Sequence, residues 1–186
     1  LVIQDDGKLV AVGSGKLARY NGDGSQDSGF GNNGHVNVGL LTGLGAVLQS
    51  DDKIVVMGTE ATDSTIIDFA LQRFHSDGSV DTSFGVGGEA VADFASRTDL
   101  AQDVAIQSDG KIVVTGRVET KDVEDPPYDG TDFGIARFNT DGTLDNSFGT
   151  NGRATTDFAI SVDYANGVAI QSDGNIIVAG TSTIFG

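Results

Sequence analysis

Three sets of residues recur at a spacing that could bind a cation: Asn21, Asp23 and Asp27; His75, Asp77 and Asp81; and Asn139, Asp141 and Asp145. Each set is followed or interrupted by an Asp-Gly pair, and alternating Asx oxygens before a glycine match the first half of a calcium loop. A hard cation gathers several carboxylate and carbonyl oxygens. On this reading the metal residues are Asp23, Asp27, Asp77, Asp81, Asp141 and Asp145, and calcium is the cofactor. The same residues have a plainer use. Asp-Gly makes a tight turn, and the second Asp braces it through hydrogen bonds to backbone N–H groups. His75 stands where the other copies have Asn, and no copy has the bidentate acid that closes a calcium loop, so the pattern favours the turn.

A second acidic stretch is not repeated. Between Arg117 and Asp132 the chain gathers Glu119, Asp122, Glu124, Asp125, Asp129 and Asp132 around Pro126, Pro127 and Tyr128. The simple reading is a solvated loop; the sharper one is a ligand-binding loop that contacts a cation or a carbohydrate through its acids and Tyr128. For catalysis the sequence is poor. His35 and His75 occupy different positions in the repeat and belong to no triad or metal motif. Gly13 to Lys16 (GSGK) is too short for a phosphate loop and has no helix to follow it. No catalytic residue is expected, and the expected protein is not an enzyme.

The elements that must carry these residues are written as repeats. LARYNGDGSQDSGFGNNG (17–34), LQRFHSDGSVDTSFGVGG (71–88) and IARFNTDGTLDNSFGTNG (135–152) share a basic residue, an aromatic, Asp-Gly, a second Asp and Phe-Gly. Arg19, Arg73 and Arg137 are expected to pair with an Asp of the turn, and Phe30, Phe84 and Phe148 to pack neighbouring units together. A second unit alternates with the first: LVIQDDGKLVAVG (1–13), AVLQSDDKIVVMG (46–58), VAIQSDGKIVVTG (104–116) and VAIQSDGNIIVAG (168–180). Each is an apolar run, a polar turn and a β-branched run closed by Gly, the form of a β-hairpin. Further strands are expected at 133–138, at Arg153 to Phe158, at Glu89 to Phe94 and at His35 to Val38.

Four short strands per unit without a helix is the pattern of a propeller blade. The expected fold is all-β, with β-propeller-like blades of four antiparallel strands in an incomplete ring of about three blades plus a terminal hairpin. The approximate units are 1–43, 44–101, 102–164 and a partial 165–186. A β-solenoid is the structural rival, but its rungs need fewer residues than these units contain. The connection between the hairpin and the third strand varies most in length, and it falls on one rim of the array.

Composition narrows the partners. The 186 residues carry 27 acidic and 11 basic side chains, a formal charge of -16 that repels polyanions, so neither nucleic acid nor an anionic membrane is an expected partner. No apolar run is long enough to span a bilayer, because Val36 to Leu48 is broken by glycines. Cysteine is absent, which excludes disulfides and thiolate metal sites. The chain opens at Leu1 inside a strand and reads as a processed or trimmed piece, so other blades of a longer chain or further copies are expected beside it.

The motifs VAIQSDGKIVV and IARFNTDGTLDNSFGTNGRATTDF resemble the delta-60 repeat family, tandem units of large bacterial proteins, many of them secreted or surface-exposed. The resemblance covers nearly the whole chain. It implies a β-propeller and an extracellular or cell-surface bacterial setting, and it brings no catalytic residues. The first unit departs from the pattern in its missing linker and in Ser28-Gly29 before Phe30. The expected function is a non-catalytic binding or structural module for adhesion, surface assembly or capture of protein or carbohydrate. The alternative is part of a propeller enzyme or a calcium-dependent carbohydrate-binding protein.

Overall fold

The computed structural model describes residues 1–41, 45–61, 67–94, 98–119, 130–158 and 161–184, and their regular structure is entirely β. Among these residues no helix is long and apolar enough to cross a membrane.

The first sheet takes β1 (Val2–Ile3), β2 (Leu9–Gly13), β3 (Lys16–Tyr20) and β4 (His35–Asn37) in chain order, every pair antiparallel. The second does the same with β5 (Gly45–Leu48), β6 (Ile54–Ala61), β7 (Ile67–Phe74) and β8 (Glu89–Ala92). The third uses β9 (Asp99–Ile106), β10 (Ile112–Glu119), β11 (Thr131–Phe138) and β12 (Arg153–Thr156). The hairpin of β13 (Ser161–Ile170) and β14 (Ile176–Ile184) follows, tied to the third blade by one parallel bridge between Thr131 and Val162. This is the expected class: four-stranded antiparallel blades that do not close a ring.

Some strand limits differ from the expected ones, for a local reason. The fourth strands stop at Ala92 and Thr156, two residues short of Phe94 and Phe158. The N–H groups of Phe94 and Phe158 turn instead to the carboxylates of Asp99 and Asp163, at 3.0 and 2.9 Å. The strands holding those acids accordingly begin ahead of the boundaries drawn at 102 and 165.

The apolar runs of the hairpins are explained by burial on both faces. In the second blade Val55, Met57, Phe69 and Leu71 pack toward the third blade with Val104, Ile112 and Val114, while Ile54, Val56, Ala70 and Phe74 pack toward Val10, Leu17 and Phe30 of the first. Side chains of a strand alternate between faces, so a blade with neighbours on both sides needs apolar residues at consecutive positions, as in IVVM (54–57).

The turns follow from Asp-Gly chemistry. In the hairpin turn of the first blade Gly7 donates its N–H to Gln4 and Gln4 donates to Lys8, with Gly7 at a φ of 82°, a left-handed conformation that glycine adopts without strain. The glycine that closes the hairpin has a different cause. In β10 the register shifts between Thr115 and Gly116, a bulge that brings the Leu100 carbonyl oxygen to the place a Cβ on residue 116 would occupy. Gly180 meets the Tyr164 carbonyl oxygen in the same way. Gly13, at the matching position of the first blade, has open space beside it.

Gly116→Ala is therefore expected to lower unfolding stability by about 2–4 kcal/mol, and Gly13→Ala to change it by less than about 0.5 kcal/mol. Urea denaturation of the two variants checks the contrast.

Candidate functional site: the joints between blades

The strand-turn-strand motif builds one joint repeatedly. Arg73 Nε lies 2.9 Å from Asp81 Oδ2, its Nη1 donates to Gln49 Oε1 at 3.0 Å, and the same Nη1 donates to the carbonyl of Thr140 in the next blade at 2.7 Å. Beside it the Gly85 N–H donates to the Asp141 carbonyl at 2.7 Å. In the blade before, Arg19 bonds Asp27 at 2.8 Å, Gln4 at 3.2 Å and the Ser76 carbonyl, while the Gly31 N–H donates to the Asp77 carbonyl at 2.9 Å. Each guanidinium also lies over a phenylalanine ring, Arg19 over Phe30 at 4.6 Å, Arg73 over Phe84 at 4.5 Å and Arg137 over Phe148 at 4.7 Å. Phe30 and Phe84 are fully buried, and the turn glycines Gly78 and Gly142 of the next blade sit against them. The expected pairing of arginine with aspartate is present in all three copies, and Phe30 and Phe84 pack between blades as expected, whereas Phe148 is only half-buried.

This geometry occupies the six turn aspartates. Asp77 and Asp141 each accept from the hydroxyl and N–H of the residue two places on, Ser79 at 2.6 and 2.8 Å and Thr143 at 2.7 and 2.9 Å; Asp23 does the same with Ser25. The hydroxyl bond first, then the N–H, holds all three carboxyls below their ordinary range. Asp27, Asp81 and Asp145 take the arginine and also the hairpin lysine, Lys8 at 3.1 Å, Lys53 at 3.4 Å and Lys111 at 3.2 Å. Burial alone would raise the Asp81 carboxyl, but the Ser83 hydroxyl and N–H together with Arg73 and Lys53 hold it well below the carboxylate range. For Asp145 the Ser147 hydroxyl leads the same effect. The acids proposed for calcium from sequence thus serve the turn and the joint, and no three of them come together among the described residues.

The opposite rim assembles acids that the repeat motifs did not single out. Asp68 at the start of β7, Asp93 just after β8 and Asp99 at the start of β9 bring one carboxylate oxygen each within 4.8 Å of the others. One blade further on, Asp132, Asp157 and Asp163 do the same. Asp99 is wholly buried; its Oδ2 accepts the Phe94 N–H, and its Oδ1 has no hydrogen-bond partner. Burial is the main cause that pushes its carboxyl up to about 7, against the pull of the Phe94 and Glu119 N–H groups and with Asp68 and Asp93 adding to the rise. Beside each triad two rings stack edge to face, Phe69 with Phe94 at 5.0 Å and Phe133 with Phe158 at 4.9 Å.

Of the loop residues expected to bind ligand, Asp132 belongs to the second triad, and Glu119 ends β10 opposite Thr131. Asp122, Glu124, Asp125, Tyr128 and Asp129 lie outside the described residues. The sequence did carry a signal for the triads. Asp-Phe occurs at 68–69, 93–94, 132–133 and 157–158, and Asp99 and Asp163 each stand eight residues before the hairpin glutamines Gln107 and Gln171.

A family model described as a β-propeller domain of unknown function (DUF5122) matches the chain at residues 4–30, 49–84 and 128–148. The repeats are β-propeller blades. The first two matched segments run from Gln4 to Phe30 and from Gln49 to Phe84, and the third ends at Phe148, so their limits fall on residues of the joint. No curated protein matches the chain.

Arg73→Ala leaves Asp81 buried without its guanidinium and is expected to cost about 3 kcal/mol in urea unfolding. Arg137→Ala should cost less, because Arg137 is more exposed than Arg73 and Phe148 is only half-buried. A pH effect follows from Asp99. Its carboxyl is raised above the unfolded value of about 3.9, so its contribution is fully present below that pH and is lost as pH rises through about 7. The depressed Asp81 and Asp145 act oppositely, losing their contribution only as pH falls below the ordinary carboxylate range. In chelator-treated protein the melting temperature should therefore fall between pH 5 and 8, and Asp99→Asn should flatten that slope.

Proposed function

We propose that the chain is a non-catalytic binding and structural module of an extracellular bacterial repeat protein, its units being delta-60 repeats. The observation that carries this reading is a division of labour between the rims. On one rim the polar side chains repeat from blade to blade, pairing with one another within a blade, and Arg19 and Arg73 reach a backbone carbonyl of the next blade. A groove there, lined by Gln49, Lys53, Arg73, Gln107 and Asp141, consists largely of joint residues. On the other rim the connection between the second and third strands grows from residues 14–15 to 62–66 to 120–130.

A scaffold that repeats its joints and varies one connection suits display of a binding loop. The acidic loop with Tyr128 offers donors, acceptors and a ring face of the kind that meets a carbohydrate or a basic protein surface. The net charge of -16 repels polyanions and favours a basic or neutral partner.

Replacing residues 120–130 by Gly-Gly, the connection length of the first blade, is expected to leave melting within about 2 °C, since the entropy of closing a connection changes only slowly with its length. The same variant should lose binding to a panel of immobilised bacterial polysaccharides and extracellular-matrix proteins. Unchanged binding, or collapse of the fold, would speak against a display loop.

A further inference from the structure

We propose that Asp68, Asp93 and Asp99 form a calcium site between the second and third blades, and that Asp132, Asp157 and Asp163 form its counterpart between the third blade and the β13–β14 hairpin. Each triad draws its ligands from three separate segments: the start of a third strand, the residue after a fourth strand, and the first strand of the following unit. An ion held there joins two successive units.

The geometry suits calcium. Ligand oxygens about 2.3–2.6 Å from a calcium ion stand at most about 5 Å apart, and each triad offers three oxygens within 4.8 Å of one another. Magnesium, at about 2.0–2.1 Å and near-ideal octahedral geometry, fits a tighter and more regular cage. The donors are all carboxylates, a hard set without imidazole or thiolate, which disfavours zinc and copper. Asp157 is exposed, which leaves room for water to complete the shell.

Asp99 supplies the independent observation. Its side chain is fully buried and belongs to the triad, one oxygen is held by the Phe94 N–H, and the other has no hydrogen-bond partner. A buried polar atom normally finds a partner, and a coordinated cation provides one. Asp163 is equally buried and is held by the Phe158 N–H in the same way. The first joint provides an internal contrast. At the matching sequence positions, five residues before Arg19, nine after Phe30 and eight before Gln49, it has Ser14, Gly39 and Leu41, none of which can supply a carboxylate.

The test is calcium titration of chelator-treated protein by calorimetry and thermal melting. Two calcium ions per chain are expected, with a rise in melting temperature of about 5–10 °C per site at a hundredfold excess over its dissociation constant; magnesium should bind at least tenfold more weakly. Asp99→Asn and Asp163→Asn should each remove one site, and the double variant both. Asp77→Asn combined with Asp141→Asn should keep both. Should Asp99→Asn fail to fold, Asp93→Asn at the rim tests the same site. No heat and no melting shift up to several millimolar calcium, or two sites that survive Asp99→Asn with Asp163→Asn, would overturn the proposal. The reading of the display loop does not depend on this outcome, because the loop replacement leaves all six aspartates in place.

Discussion

The guanidinium of Arg73 is the constraint around which the second joint is arranged. Enclosed between blades, it needs a carboxylate, a ring face and carbonyl oxygens at fixed directions, and Asp81, Phe84, Gln49 and Thr140 supply them. Because Thr140 belongs to the next blade, satisfying one side chain also fixes the position of a neighbouring sheet. The Gly85 N–H bond to the Asp141 carbonyl then sets the distance between the blades. A lysine could not replace this arginine, since its single ammonium lacks the planar fork that serves Asp81 and Thr140 at once.

The two rims of the array answer different demands. On the arginine rim every carboxylate of the turn motif has a donor, and its acids lie in a balanced local field with Arg and Lys. On the other rim acids from successive units approach one another. Like-charged groups that close together raise the energy of the fully ionised state unless a proton or a cation joins them. Asp99 illustrates both alternatives, because burial lifts its carboxyl to about 7 and its second oxygen still lacks a donor.

Much of this was legible in the sequence, for reasons that differ by residue. The turns were legible because Asp-Gly followed by Ser or Thr has few conformations open to it, and the Arg–Asp–Phe joint because one long motif was written three times. The consecutive apolar residues of IVVM signalled burial on both faces. The aspartate triads are hard to see in the sequence, since their members are up to 31 positions apart and meet only where one blade turns into the next. The alternating acids of the turn motif imitate a metal loop in the sequence, yet the positive partners of its second acids come from the hairpin lysines and the strand arginines, which sequence spacing alone does not bring to them.

Each blade carries the two complementary halves of a joint: arginine, phenylalanine and glutamine on one side, and the turn carbonyls with their glycine on the other. A whole unit copied or deleted by recombination between repeats therefore arrives or leaves with matching ends. Blade number can change over evolutionary time without any new interface having to arise, while a change of a fraction of a unit would leave a guanidinium facing nothing.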